Sequence, residues 1–322
     1  MSIVRTEPIT HYLYLTHLRE RTMLYNISRI TILVTIFFVF TICTTHGVTT
    51  EHSTRPLHPA DPTHPYDSLI NKLVADGFDI TELKKIFSDP RVAFMKDVLT
   101  INLANRYIKA DYSRFLQHQS INHARKFLDQ ESNFLTTVEK RFQVDKEVIV
   151  SILFIESAFG KRTGNNIVFN VFSTLSRATE PDILHNTAHL LKERYPQMST
   201  NDIEKRAHKK AQWAYQELKH LLTIAEKEHI DVLKIKGSWA GAFGIAQFLP
   251  SSYVHYAVDG NNDHKVRLYN RYDSIVSVAN YLKENGWKKG LTEKKKRTII
   301  RKYNNSTPYI DTVLQLSQKI NG

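Results

Sequence analysis

From Asp67 onward apolar residues return every third or fourth position, as at Leu69, Leu73 and Val74 and again at Ile80, Leu83 and Ile86. That spacing predicts short amphipathic helices, with Asp79 and Thr81 suited to cap the second. Residues 143–164, QVDKEVIVSILFIESAFGKRTG, break the pattern, because Val148, Ile149, Val150, Ile152, Leu153, Phe154 and Ile155 cover every face. A helix that is apolar all round is a buried one. It is predicted to run from an N-cap at Asp145 to about Phe159, with Gly160 as its stop. Glu156 sits at the end of this run, so its carboxyl is either paired, neutral with a raised pKa, or exposed at a cleft.

Residues 177–233 carry long amphipathic stretches rich in Lys and His, such as LLKERY and DIEKRAHKKAQWAYQELKHLLTIAEKEH, interrupted by Pro196. They read as two or three solvated helices whose basic residues form a wet face, and no HExxH motif points to a metal. Residues 48–66, by contrast, are rich in Pro, Thr and His without apolar periodicity, and read as an extended linker.

The first 47 residues change the setting. Residues 30–43, ITILVTIFFVFTIC, are uncharged and follow Arg29. The run is shorter than the roughly 20 apolar residues of a membrane span but fits a secretory signal. Thr45 and Gly47 suit cleavage after Gly47, and Met23 offers a better start than Met1. A retained N-terminal anchor, with membrane association through it, is the alternative. Either way the body of the chain is expected outside the cytoplasm, in the periplasm or cell envelope.

Composition narrows the class further. Glycine numbers only 11 among 322 residues, roughly half the usual share, which favours a mainly helical chain over Gly-rich phosphate loops and hairpins. The formal net charge of +12 favours a polyanionic or acidic partner: nucleic acid, phospholipid headgroups or an anionic wall polymer. Export argues against nucleic acid. The single cysteine, Cys43, rules out an intramolecular disulfide framework.

Gly237, Gly241 and Gly244 nevertheless fall close together in GSWAGAFGIAQFLPSSY (237–253), among Trp239, Phe243, Gln247 and Phe248. Small residues there permit close backbone approach, and the aromatics and amide suit a sugar or, equally, tight helix packing.

Together, IESAFG with Glu156, GSWAGAFGIAQFLPSSY, SIVSVANYLKENGW (274–287) and YNNSTPYIDTVL (303–314) resemble the lytic murein transglycosylases of the membrane-bound lytic transglycosylase B family. YSRFLQHQSINHARKFLDQESNFL (112–135) is similar to that family's lead-in, so the resemblance covers roughly residues 90–322. It implies a lysozyme-like, mainly helical catalytic domain over 67–322, with a helical insert at about 177–233. It also implies cleavage of the β-1,4 bond between N-acetylmuramic acid and N-acetylglucosamine in peptidoglycan glycan strands, leaving 1,6-anhydromuramoyl ends and requiring no cofactor.

In that reading Glu156 is the acid and then the base, kept protonated by its apolar neighbours. Ser238 and Gln247 line the sugar subsites, and Tyr281, Tyr303, Asn304 and Tyr309 close the cleft, although core packing would account for each tyrosine equally well. The family's EF-hand-like calcium site falls on Asp259, Asn261, Asp263, the Lys265 carbonyl and Asp273. Here His264 stands in place of the turn glycine and Asn270 in place of a bidentate Glu. A self-contained polar turn is the other reading of that segment. Only fifteen residues separate Trp287 from Tyr303, so the small β-domain of the family's better-known members is expected to be missing. A hydrolytic muramidase and an inert glycan-binding envelope scaffold remain as alternatives.

Overall fold

The computed structural model describes residues 64–107 and 110–321, and the expected signal or anchor segment lies outside them. Thirteen α-helices and one two-stranded sheet make up the regular structure of the described residues. The mainly helical expectation is met.

Two short helices open the domain, α1 (Asp67–Ala75) and α2 (Ile80–Phe87). As the sequence suggests, the Asp79 carboxylate caps α2 by accepting the Glu82 amide at 2.8 Å. The stretch read as linker already belongs to the domain at its end: Tyr66 is buried, with its ring 4.9 Å from that of Phe87. Next come α3 (Lys96–Ala104), α4 (His118–Gln130), α5 (Ser132–Phe142) and α6 (Lys146–Ser157).

Helix α6 is the apolar stretch carrying Glu156. It lies against α4, α5, α11 (Arg271–Glu284) and α13 (Thr307–Ile320), which explains why it can be hydrophobic on all faces. It ends at Ser157, two residues short of the predicted end at Phe159. Ala158 and Phe159 take left-handed conformations (φ 50° and 58°), so the chain turns immediately after the acid. The Ser157 hydroxyl holds this turn, donating to the Ile245 carbonyl at 2.7 Å and accepting the Gly160 amide at 2.9 Å. Non-glycine residues in such conformations concentrate where a site needs them.

Helices α7 (Val168–Ser176), α8 (Pro181–Arg194) and α9 (Thr200–Lys227) follow. The break at Pro196 falls where the sequence puts it. Helix α9 is amphipathic as expected: Ile203, Ala207, Ala211, Ala214, Leu218, Leu221 and Ala225 form a buried stripe, and the helix packs along α7 and α10 (Pro250–Tyr256). Strands β1 (Asn166–Ile167) and β2 (Lys236–Gly237) pair antiparallel, with Asn166 opposite Gly237. This ties the loop after α6 to the loop that precedes α10. In that second loop Gly241 lies at φ 85° with the Phe172 ring where a Cβ would be, so only glycine fits. Between Trp287 and Tyr303 there is a turn and one helix, α12 (Glu293–Tyr303), leaving no room for a further β-domain.

Candidate active site

Glu156 is the penultimate residue of α6, enclosed by protein yet still reached by solvent on one side. Burial pushes its carboxyl from the ordinary 4.5 up to about 7, against the opposing effect of a hydrogen bond from Tyr309. The Tyr309 hydroxyl donates to Glu156 Oε1 at 2.6 Å, and Tyr309 is itself only 1% exposed. Its position is set locally. The Ser306 hydroxyl caps α13 by accepting the Tyr309 amide at 3.4 Å, and Pro308 stands in the first turn, where its missing N–H costs nothing. Burial is the larger influence on the acid and this hydrogen bond the smaller, and no carboxylate among the described residues contributes. A carboxylate pair set about 5–10 Å apart, as most glycosidases use, would be coupled electrostatically.

Phenols surround the acid. Tyr303 ends α12 and donates its hydroxyl to the Ala246 carbonyl at 2.5 Å. Its pKa is raised by burial first and then by the Glu156 charge. Tyr112, in the turn before α4, lays its ring edge-on to Tyr309 at 5.7 Å. Its hydroxyl meets the side chains of Ser306 and Asn304, and burial followed by the Glu156 charge raises its pKa. Sequence reading passed over Tyr112, although it lies in the segment that resembles the family's lead-in. What marks it is contact with residues about 190 positions away along the chain.

Asn304 thus belongs to the cluster through Tyr112. Tyr281 stands one ring further back. It is buried, its ring lies 4.8 Å from that of Tyr303 and 4.6 Å from that of Tyr256, and burial lifts its hydroxyl to about 12. Tyr281 thus packs behind Tyr303.

Gln247 has a positive φ of 49°, and its Nε2 donates to the carbonyls of Thr163 (3.0 Å) and Gly244 (2.8 Å). These two bonds fix the amide nitrogen. Ser238 turns inward: its Oγ accepts the amides of Ala240 (3.3 Å) and Ala242 (3.2 Å), closing the 238–242 turn. A groove of about 900 Å³ opens at the turn that follows the acid's helix, lined in part by Phe127, Phe159, Gly160 and Ile245.

The 259–265 loop lies elsewhere. Its residue types suit a hard cation, but its oxygens are already engaged. Asp259 accepts the amides of Asn261, Asn262 and His264; Asp263 accepts the Lys265 amide and pairs with Arg267 at 2.8 Å; and Asp273, fully buried, accepts those of Gly260 and Arg267. Among the described residues no group of three or more His, Cys, Asp or Glu side chains is gathered for a metal. In this arrangement a cation at the loop would compete with Arg267 for the Asp263 carboxylate. Asn270 caps α11 through the Tyr272 amide at 2.8 Å, a helix-capping role.

Residues 63–297 match the transglycosylase SLT domain family. The chain belongs to that family. Over 177 residues this SLT domain is 32% identical to membrane-bound lytic murein transglycosylase B of Escherichia coli, a match that covers 55% of this chain and 41% of that protein. The chain therefore aligns with less than half the length of that curated relative.

Its fold superposes on the soluble lytic transglycosylase SltB1 of Pseudomonas aeruginosa with a TM-score of 0.62 at 23% identity, covering 79% of this chain and 97% of the other. SltB3 of the same organism, solved with NAG-anhNAM-pentapeptide, matches with a TM-score of 0.61 at 21% identity, covering 80% of this chain and 78% of the other. At such identities the likeness speaks for the fold alone, and the lysozyme-like expectation holds for this SLT domain.

Proposed function

We propose that the chain is a lytic transglycosylase cleaving the β-1,4 bond between N-acetylmuramic acid and N-acetylglucosamine in peptidoglycan. The carrying observation is a lone carboxylic acid, half-protonated near neutral pH and hydrogen-bonded by one buried phenol. The neutral acid gives its proton to the glycosidic oxygen as the C1–O bond breaks, releasing the N-acetylglucosamine 4-hydroxyl. The substrate's own N-acetyl group, not a second carboxylate, meets the positive charge at C1. The Glu156 carboxylate then takes the C6 hydroxyl proton while O6 bonds to C1, so the acid is regenerated and no water is consumed. Tyr309 donates to the carboxylate that exists between the two steps. Membership of the SLT family and the bound sugar–peptide of SltB3 support the substrate class.

Mass spectrometry of sacculi digested by the purified chain tests this. Anhydro-ended muropeptides are expected. Products heavier by one water would make the chain a muramidase, and no release at all would make it a binder. The chain is also proposed to work in the cell envelope, on the strength of residues 30–43. Among the described residues no helix is long and apolar enough to cross a membrane.

The pH profile carries a signature. The first step needs protonated Glu156, so kcat/KM is expected to fall as pH rises through about 7. Tyr309→Phe removes the one donor that the described residues give the carboxylate. It should move that alkaline limb upward by about one pH unit while lowering kcat by about tenfold. An unmoved limb would show that the phenol does not stabilise the carboxylate.

The 259–265 loop is proposed to take calcium only weakly, with a Kd of about 10⁻⁴–10⁻³ M, since binding must displace Arg267 from Asp263. Calorimetry should show Arg267→Ala binding more tightly. Nanomolar affinity in the unaltered chain would contradict the arrangement described above.

A further inference from the structure

Resting on the envelope location proposed above, and not on the cleavage chemistry, we infer that the outward face of α12 docks on an anionic phospholipid surface. Residues 283–302, which end α11 and form most of α12, hold nine Lys and Arg against two Glu. Their net of +7 is more than half of the chain's +12. The stretch that looks most basic in sequence does not compare. Residues 181–228, spanning α8 and α9, hold eight Lys and Arg against seven Asp and Glu.

Helix α12 sorts its charges by side. Ile299 and Ile300 are buried and define the inner face. Next to them Lys296 pairs with Asp145 at 2.7 Å, and Arg297 pairs with Glu293 and Asp311. These inner cations staple α12 to the start of α6 and to α13. The outer arc consists of Lys294, Lys295, Thr298, Arg301 and Lys302, all exposed, and Lys288 and Lys289 are exposed in the turn before it. The outer cations form no ion pair among the described residues; Arg301 has only a hydrogen bond to Asn305 Oδ1 at 3.2 Å.

Helix stability does not explain this arc. Lys294 and Lys295 stand in the first turn of α12, where the helix dipole repels cations and favours acids. Solubility does not explain it either, since a soluble surface is served by charges of mixed sign. What remains is a partner that is negative over an extended area. The arc is the convex outside of a helix, and the exposed large apolar side chains lie elsewhere, at Ile80, Phe94, Ile230, Val254, Tyr269 and Tyr272. Its cations are mostly lysines, flexible point charges without the planar fork that reads a single carboxylate or phosphate. A plane of lipid headgroups asks only for such charge at close approach. The same chain carries the uncharged run 30–43, shorter than the roughly 20 residues of a span. Residues 44–63 separate that run from His64, a reach of up to about 65 Å. A polybasic face is the second attachment that a weak single anchor needs. Because α12 ends at Tyr303, one of the phenols around Glu156, lipid on its outer side holds the site close to the membrane surface.

Flotation of the full chain with phosphatidylcholine vesicles, with and without phosphatidylglycerol, tests this. Partitioning onto the anionic vesicles is expected to exceed that onto the neutral ones by at least about a hundredfold at low salt, and the ratio should shrink as salt is raised. Apolar insertion through residues 30–43 is common to both vesicles and cancels in the ratio. Lys294→Gln/Lys295→Gln/Lys302→Gln should cut the ratio by at least about thirtyfold, whereas Lys294→Arg/Lys295→Arg/Lys302→Arg keeps it. Urea unfolding should find the glutamine variant no less stable than the unaltered chain, since two of its lysines oppose the helix dipole, so the lost ratio is not a lost fold. Lys192→Gln/Lys205→Gln/Lys209→Gln removes equal charge from α8 and α9 and should leave the ratio in place. Equal losses in the two glutamine variants would make net charge the cause and overturn the inference. A ratio near one in the unaltered chain would do the same. So would an α12 glutamine variant that keeps its lipid ratio and instead loses binding to purified sacculi, which would give the face to the wall polymer. The readout needs no turnover. A chain that cleaves nothing yet floats in this manner upholds the inference while the proposed activity fails, and an active chain that does not float ends the inference alone.

Discussion

Glu156→Gln is expected to lower the rate of anhydro-end formation by at least about 10³-fold and, at the same time, to make the fold more stable at pH 8. Both effects come from one placement. The substitution keeps the shape and an oxygen to accept from Tyr309 but has no proton to give. The stability gain follows from the raised pKa, ordinarily 4.5 and about 7 in the fold. Below pH 4.5 folded and unfolded chains both hold the proton and nothing is lost. Between the two values the unfolded chain ionises first, and stability declines as pH rises. Above about 7 the fold carries the full burden of a buried charge, on the order of 3 kcal/mol before allowing for the side open to solvent. Glutamine escapes it, so a gain of about 1–2 kcal/mol at pH 8, vanishing at pH 4, is expected from denaturant titrations at the two pH values. Equal stability of the two proteins at pH 8 would mean that the carboxyl is not strained by burial, and the neutral-acid mechanism would lose its basis.

The acid and its surroundings were readable because burial of α6 is written in consecutive positions: a run apolar on every face can only be a core helix, and a carboxyl at its end must be explained. The end of that helix was less readable. A glycine at 160 looked like the stop, whereas the chain turns at Ala158 because Ser157 bonds to Ile245, 88 residues away, and no local rule contains that contact. Helix α9 was readable as amphipathic because Ile203, Leu218, Leu221 and four alanines return at helical spacing among the lysines and histidines.

Tyr112 and the groove at the turn after α6 share a third cause. Their residues are unremarkable in sequence and acquire meaning only where three separate segments converge. Tyrosine 281 shows the converse: it belongs to a motif, but the motif's packing, not its chemistry, is what places it in the structure.

Gly164→Ala should be the most damaging change among the glycines that join the two halves of the site. Gly164 lies at φ 90°, and a Cβ there would sit 2.1 Å from the Gly237 carbonyl oxygen, 2.3 Å from its carbon and 2.6 Å from the Ser238 amide nitrogen. All three are backbone atoms of the strand and turn that pair with β1, so no side chain can swing aside. The loop would have to part from β2, taking with it the Thr163 carbonyl that anchors Gln247. A loss of about 3–5 kcal/mol is expected, with activity falling further than stability explains.

Gly77→Ala separates the two causes. Its φ of 95° is equally unfavourable for alanine, but nothing lies within 4 Å of its added Cβ. Only the conformational penalty of about 1–2 kcal/mol should appear there. The difference between the two variants in urea unfolding then measures the backbone collision alone. If Gly164→Ala costs no more than Gly77→Ala, the close approach of the two loops is not a constraint on the fold, and the anchoring of Gln247 must rest on something else.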